Sequence, residues 1–267
     1  MDSSINWFIS MASLSTLAWA AGIYLGRGPA PWGRLAITIG VILLICWTWL
    51  IKNPSVAVHA VPLDVLSHIE GVASVPIFML IIGAAWSRCQ LPRQRHIVIW
   101  AGIFGFVFFL QNGWWLLQET PKIGFTRSAQ GMILQSQDYS CVPAACATAL
   151  NLLGVASSEA EMARLTNTRP LTGSTTIRAM AGLQKKLKNT DYMVELIEPD
   201  YEQLLGIATP IITPLQLEAS RLHMVTVLKV YEDRLLMADP AAGRIFMKRE
   251  EFLKYYRYQA LAFTNRN

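Results

Sequence analysis

The segment QSQDYSCVPAACATALNLLG, residues 135–154, decides the architecture of the second half of this chain. Small and apolar residues run on from Cys141, Pro143 suits the first turn of a helix, and Gly154 suits its end. We therefore predict a helix over residues 142–153, with Cys141 immediately before it. The free N–H groups and partial positive charge of a helix N-terminus favour a thiolate there, although a lone cysteine at such a place is more often a small buried hydrophobe.

Further helices come next in this half, and strands follow them. The spacing of Ser158 and Glu161 is that of a capping box and predicts a second helix. Ser174 or Thr175 can cap a third helix, which runs to about Lys188. Strands are predicted at residues 192–197, 207–213, 223–231, 234–238, 244–247 and 258–264, with a short helix at 249–255. Helices followed by an antiparallel-looking sheet predict an α+β domain.

The same half contains the partners that a nucleophilic thiol needs. A thiol peptidase uses a histidine to exchange a proton with the thiol, and an acid or amide to orient that histidine. His223 is the one histidine of this half, and Asp239 ends the next predicted strand, so a hairpin brings the two side chains together. Gln135, six residues before Cys141, is placed to act as an oxyanion donor beside the backbone N–H of Cys141. Gln137 is a nearby rival for that last role.

With these residues in place, the second half resembles the bacteriocin-processing cysteine peptidase domain. That domain is a papain-like module that cleaves after double-glycine leaders and is often fused to ABC exporters. The resemblance covers about residues 131–264 and rests on a Gln before a Cys helix, a Thr/Ser-started helix, a His strand that leads to Asp-Pro-x-x-Gly, and a final aromatic helix and strand. The matching segments are residues 135–154, GSTTIRAMAGLQKKL (173–187), TPIITPLQ (209–216), HMVTVLKVYEDRLLMADPAAG (223–243) and REEFLKYYRYQALAF (249–263).

This resemblance implies a papain-like fold and a role for each candidate residue. Cys141 is implied as the nucleophile, His223 as the base and acid, and Asp239 as the orienting residue. Gln135 is implied as the oxyanion donor. The chain differs from the family in having Val142 after the nucleophile instead of Gly, and it contains no Gly-x-x-x-x-Gly-Lys-Ser/Thr nucleotide-binding motif. We therefore expect a peptidase that is not an ABC exporter.

The first half has a different composition. Hydrophobic residues make up 53% of the chain and charged residues only 15%, which excludes a disordered or fibrous protein. All nine Trp precede residue 116, and residues 1–118 hold six Lys and Arg and three Asp and Glu, whereas residues 119–267 hold seventeen and fifteen. We predict two domains, 1–120 and 121–267. Neither has a dense basic stripe, so the net charge of +5 does not predict nucleic-acid binding.

Four apolar segments of the first half predict a transmembrane domain, so the lipid bilayer is an expected partner. A helix needs roughly 20 apolar residues to cross the hydrocarbon core. The predicted helices are about 7–25, 35–51, 71–87 and 97–117. Trp47 and Trp49, and Trp114 and Trp115, lie near helix ends, as tryptophans at a membrane interface do.

Loop charges predict the orientation. Five arginines lie in the first and third loops and one lysine in the second: Arg27, Arg34, Arg88, Arg93, Arg95 and Lys52. Because positive loops stay in the cytoplasm, we predict a multi-pass protein of the bacterial inner membrane whose peptidase domain lies outside the cytoplasm. A different number of spans would invert this prediction.

The second loop contains the remaining candidate ligands. Asp64 and His68 are four residues apart and fit one helical face, with His59 and Glu70 nearby. The spacing matches no dedicated zinc pattern, so we predict a polar interfacial turn, with no metal and no cofactor.

Three functions fit these observations. The first is a membrane-anchored cysteine peptidase that cleaves a peptide or protein substrate near the membrane by a Cys-His-Asp mechanism. The second is a thiol-dependent acyl or amide transferase, because the same three residues serve that chemistry. The third is a non-catalytic membrane-bound binding module of the same fold. The presence of all four site residues at compatible spacing favours an enzyme.

Overall fold

The computed structural model describes residues 3–113, 123–124, 131–170, 172–218 and 221–266. The chain divides into two compact units, Met1–Gln118 and Glu119–Asn267. The predicted boundary between residues 120 and 121 and the predicted interfacial Trp114 and Trp115 lie outside the described residues.

Helices make up the described part of the first unit. They are α1 (Ser3–Arg27), α2 (Ala30–Lys52), α3 (Pro54–Ala60), α4 (Leu63–Ile69), α5 (Ser74–Trp86) and α6 (Pro92–Gly113). By length and composition, α1, α2 and α6 are able to cross a membrane, and α4 with α5 adds a fourth span if this bent pair, with an angle of 59°, counts as one.

The third predicted span differs most from the structure. In place of one helix over residues 71–87, α5 has 13 residues and begins at Ser74. Pro76 lies in its first turn, where a residue without an N–H costs least, and the chain bends before it. At about 1.5 Å per residue, α5 alone is roughly 20 Å long, which is short of the hydrocarbon core.

Glycines bring α1 and α5 into backbone contact. A Cβ atom on Gly22 would lie 2.2 Å from the carbonyl oxygen of Leu80, and one on Gly83 would lie 2.2 Å from that of Trp19. Small residues at such positions let helix backbones approach closely, which is how helices associate in a membrane.

The second unit combines five helices with one six-stranded sheet. The helices are α7 (Cys141–Leu152), α8 (Glu159–Leu165), α9 (Thr176–Leu187), α10 (Tyr201–Gly206) and α11 (Arg249–Tyr255). The strands are β1 (Tyr192–Ile197), β2 (Ile211–Glu218), β3 (Arg221–Val230), β4 (Arg234–Asp239), β5 (Gly243–Lys248) and β6 (Ala260–Asn265). Their spatial order is β1-β6-β2-β3-β4-β5, with antiparallel pairing throughout. The α+β prediction is confirmed.

Helix α7 is buried against β3. Its residues from Val142 to Leu150 are all buried, and the Thr226 hydroxyl of β3 donates a hydrogen bond of 2.9 Å to the carbonyl of Ala145. Val225 and Val227, which alternate with Thr226, belong to a separate apolar cluster that includes residues of α10 and α11. The start of α7 is therefore fixed relative to β3.

Two details of this unit differ from the sequence prediction. Helix α10 was not predicted, although Asp200 and Gln203 form a complete capping box at its start. The predicted strand 207–213 is therefore displaced to Ile211–Glu218. The last strand begins at Ala260, because Tyr258 has a positive φ of 54° that extended strand cannot accommodate.

A pair of glycine substitutions tests the contact between α1 and α5. Gly83→Ala places a methyl group against the Trp19 carbonyl, so we expect it to destabilise the first unit by about 1–3 kcal/mol. Gly102→Ala in α6 is the matched control, since its nearest neighbour would be 3.9 Å away and alanine favours a helix. Thermal unfolding in detergent should show a lower Tm for the first variant and an unchanged or higher Tm for the second; equal Tm values would contradict the close packing.

Candidate active site

Cys141 is the first residue of α7, and few backbone N–H groups share that end of the helix. The first hydrogen bond within this turn runs from Ala144 N–H to the carbonyl of Ser140, at 3.2 Å. Pro143 has no N–H, so the N–H groups of Cys141 and Val142 are the ones left at the helix start. The Val142 N–H points to the Cys141 sulfur. The Cys141 N–H lies at the same end of α7.

His223 and Asp239 come together from neighbouring strands. His223 lies near the start of β3 and Asp239 ends β4, and their Nε2 and Oδ1 atoms are 2.9 Å apart. The same oxygen accepts N–H bonds from Ala241 at 2.7 Å and Ala242 at 3.3 Å, so the turn after β4 fixes the carboxylate. Since Nε2 is paired with Asp239, Nδ1 is the ring nitrogen left for the Cys141 thiol, with which His223 is hydrogen-bonded.

These contacts control the ionisation of the thiol. Burial raises the pKa of Cys141, but the hydrogen bond with His223, backbone N–H groups of Met224 and Val142 and the charge of His223 outweigh it, so the pKa lies below its ordinary value. Burial lowers the pKa of His223, but hydrogen bonds with Asp239 and Cys141 and the charges of both raise it to about 9. Burial raises the pKa of Asp239, but the contact with His223 and the N–H groups of the turn outweigh it, so this pKa is lowered. Both shifts favour a thiolate–imidazolium pair over the neutral thiol and imidazole.

Gln135 approaches the site from the segment before α7. Its backbone N–H donates a hydrogen bond of 2.8 Å to the carbonyl of Pro240, the residue after Asp239. Its side-chain Oε1 is buried and has no hydrogen-bond partner among the residues that the structure describes. The rival Gln137 is exposed and belongs to a turn closed by Ser140, whose Oγ bonds its N–H at 3.1 Å and its carbonyl at 2.8 Å. Gln135 is therefore the better placed of the two.

The other predicted ligands and cysteines lie elsewhere. His68 stacks on Trp7 with ring centroids 5.3 Å apart, and its Nδ1 contacts the backbone carbonyl of Asp64 at 2.7 Å. Within the described residues, no group of three or more His, Cys, Asp or Glu side chains is arranged to hold a metal ion. All four cysteines are free, with Cys141 partly exposed and Cys146 buried.

Two parts of the site were not found by reading the sequence. The Met224 and Val142 N–H groups that face the thiol belong to the backbone, and residue types do not reveal them. Glu159 reads as part of a helix start, but its side chain reaches back to the segment next to Gln135. A fully buried carboxylate is recognisable only once the packing is known.

Comparisons with known proteins agree on this half of the chain. Residues 130–267, just over half of the chain, match the family model described as Peptidase C39 family. An uncharacterised protein of Methanothermobacter thermautotrophicus is 32% identical over 127 residues, covering 47% of this chain and 82% of that protein. An uncharacterised protein of Methanothermobacter marburgensis is 30% identical over 125 residues, with the same two coverages of 47% and 82%.

Solved structures with similar folds were also found. A double glycine motif protease from an AMS/PCAT transporter, solved in complex with the leader peptide, is 20% identical and covers 50% of this chain and 90% of that one, with a TM-score of 0.43. The peptidase domain of Streptococcus ComA, a bi-functional ABC transporter involved in a quorum sensing pathway, is 20% identical and covers 49% and 96%, with a TM-score of 0.44.

The pH dependence of Cys141 alkylation tests the pairing of thiol and imidazole. Because the pKa of Cys141 is lowered, iodoacetamide should react rapidly at neutral pH, and the rate should fall only as the pH drops through that lowered pKa. The Asp239 carboxylate and Cys141 together raise the pKa of His223 to about 9. Asp239→Asn removes the carboxylate's share, so the imidazolium is lost at lower pH and the thiol pKa moves upward. At a pH below the thiol pKa, each unit by which that pKa rises lowers the thiolate fraction, and with it the alkylation rate, by about tenfold.

Mass spectrometry of the alkylated full chain measures these rates site by site. Cys141→Ala provides the blank, and Cys146 serves as an internal buried reference. Alkylation of Cys141 that follows the titration of an ordinary exposed thiol, with a pKa of about 8.5, would contradict the ion pair.

Proposed function

Since the chain belongs to the peptidase C39 family, we propose that it is a membrane-anchored cysteine peptidase that cleaves a peptide or protein substrate close to the bilayer. Family membership makes residues 130–267 a cysteine peptidase domain. We further propose Cys141 as the nucleophile, His223 as the base and acid, Asp239 as the orienting residue and Gln135 as the oxyanion donor. The observation that carries this proposal is the His223–Asp239 contact of 2.9 Å, with the opposite ring nitrogen left for a thiol of lowered pKa.

The geometry supports a two-step reaction. The Cys141 thiolate attacks the scissile carbonyl carbon, and the carbonyl π electrons move to oxygen, where the Cys141 N–H and the Gln135 amide donate hydrogen bonds. As the tetrahedral intermediate collapses, the C–N bond breaks and the His223 imidazolium gives its proton to the leaving amine. A water molecule then gives a proton to His223, attacks the thioester and releases the acid, which restores the thiolate–imidazolium pair.

The first unit supports anchoring in a bilayer. Large apolar side chains on α1 and α6 are exposed, among them Leu17 at 67%, Trp100 at 69% and Phe104 at 70%. In water this surface would be unfavourable, whereas lipid solvates it. We take the bent pair α4–α5 as the fourth span, so both ends of the chain lie on one side of the membrane. The excess of arginine in the first and third loops then places the peptidase domain outside the cytoplasm of a bacterial cell.

A comparison of cellular peptides tests the peptidase proposal. In cells carrying Cys141→Ala, we expect an uncleaved precursor to accumulate, because the nucleophile is missing. Cys146→Ala, which changes a buried cysteine on the same helix, is the matched control and should leave processing intact. New free termini in the wild type identify hydrolysis, whereas an isopeptide or transferred group would identify a transferase. Identical precursor patterns in the wild type and Cys141→Ala would remove the proposal.

Purified full-length protein in detergent provides the kinetic assay. We propose to screen a positional library of peptidyl-aminomethylcoumarins that includes Gly-Gly before the scissile amide. A peptide that is cleaved then serves as the reporter for kcat and KM.

Single cysteines test the proposed orientation. In a chain whose four native cysteines are replaced, Glu232→Cys marks an exposed turn of the peptidase domain and Gln90→Cys an exposed position of the third loop. We expect a membrane-impermeant maleimide to label Glu232→Cys in intact spheroplasts and to label Gln90→Cys only after lysis. The reverse pattern would place the peptidase domain in the cytoplasm and overturn the orientation.

A further inference from the structure

Both peptide planes that flank the Cα atom of Gln135 are fixed by hydrogen bonds. The Gln135 N–H donates to the carbonyl of Pro240 at 2.8 Å. The next N–H, of Ser136, donates to the Glu159 carboxylate, also at 2.8 Å. With one plane fixed on each side, the backbone angles of Gln135 are set, and so is the direction in which its side chain leaves the backbone.

The Gln135 amide oxygen adds nothing to this placement. Oε1 is buried and, among the described residues, has no hydrogen-bond donor. Its orientation therefore depends on the two backbone bonds and on packing. Of those two bonds, only the one to Glu159 is made by a side chain.

The carboxylate of Glu159 lies in the interior of the second unit. It is fully buried, and its Oε1 also accepts a hydrogen bond from the Ser136 hydroxyl at 3.2 Å. Its Oε2 is buried and has no hydrogen-bond partner in the described part of the chain. A buried carboxylate with one unsatisfied oxygen costs stability.

The start of α8 does not require this side chain. The Ser158 hydroxyl caps the helix by accepting the Glu161 N–H at 3.2 Å. Glu161 binds Lys186 of α9 at 2.6 Å, partly exposed, and so joins two helices. The two glutamates of one helix thus have separate partners, and only Glu159 reaches the segment that leads to the nucleophile.

We propose that Glu159 is a positioning residue of the peptidase, which holds the Ser136 N–H so that the Gln135 amide faces the developing oxyanion. This role rests on the proposed function. Glu159 contacts no reacting atom and acts through Gln135 alone. Its loss should therefore weaken transition-state stabilisation while the thiolate–imidazolium pair stays intact.

A double-mutant cycle on the full chain in detergent tests the role. With the aminomethylcoumarin reporter, Gln135→Ala should lower kcat by about 10²–10³-fold and Glu159→Ala by about 10–100-fold, with little change in KM. In the Gln135→Ala background, Glu159→Ala should cause no further fall, because the group that it positions is absent. Glu159→Gln keeps an oxygen for the Ser136 N–H and should restore most of the activity.

Two further measurements separate positioning from general stability. Alkylation of Cys141 by iodoacetamide needs the thiolate but no oxyanion donor, so Glu159→Ala should leave its rate unchanged. Glu161→Ala, on the same helix, should leave kcat unchanged. If Glu159→Ala does not fold, Glu159→Asp withdraws the carboxylate by one methylene and carries the same cycle.

The outcomes also distinguish this role from the proposed function. Additive losses in the cycle, or an equal loss of Cys141 alkylation, would overturn the positioning role while leaving an active peptidase. A wild-type protein that alkylates at Cys141 but cleaves no reporter and no cellular precursor would overturn the proposed function, and the positioning role with it.

Discussion

The contact between His223 and Asp239 is the constraint on which the chemistry of the second unit depends. Burial by itself would keep the proton on sulfur, because it lowers the pKa of the imidazole and raises that of the thiol. The carboxylate reverses this balance, since it stabilises the imidazolium that in turn stabilises the thiolate. Asp239 is held for this purpose by the N–H groups of its own turn. Both shifts therefore favour transfer of the thiol proton to His223.

The turn that follows β4 links the two parts of the site. Asp239 binds the imidazole, and the carbonyl of Pro240, its neighbour, binds the N–H of Gln135. The segment that carries Gln135, the proposed oxyanion donor, is thus bonded to the residue directly after Asp239, the proposed orienting residue. Glu159 of α8 bonds the same segment at Ser136. The site is assembled from α7, β3, β4 and the segment before α7. Short contacts hold these elements together, which is how a catalytic geometry is kept without substrate.

Apolar side chains are exposed to different extents in the two units. In the second unit most apolar residues of β2, β3 and β4 are buried, whereas on α1 and α6 large apolar side chains are exposed. Inside the first unit, small residues such as Gly22 and Gly83 are buried against backbone instead. That pattern is expected where lipid is the solvent, because burial of apolar surface then brings little gain and close backbone packing takes its place.

Local signals in the sequence were sufficient for several elements. Strand β1 and helix α11 lie at the predicted residues, and Thr175 caps α9 as one of the two predicted residues. Predictions that depended on length or on competing signals were less accurate. Pro76 interrupts an apolar run that otherwise reads as one span, and the capping box at Asp200 and Gln203 competes with a strand-like sequence after it.

Three residues could be assigned to their elements from the sequence alone: a cysteine at a helix start, a histidine at the start of one strand and an aspartate at the end of the next. These are short-range properties, set by caps, periodicity and turns. Packing alone brings the Met224 N–H to the Cys141 sulfur and buries Glu159 beside Ser136. Such contacts join segments distant in the chain, so their geometry depends on how α7, α8 and the sheet pack together.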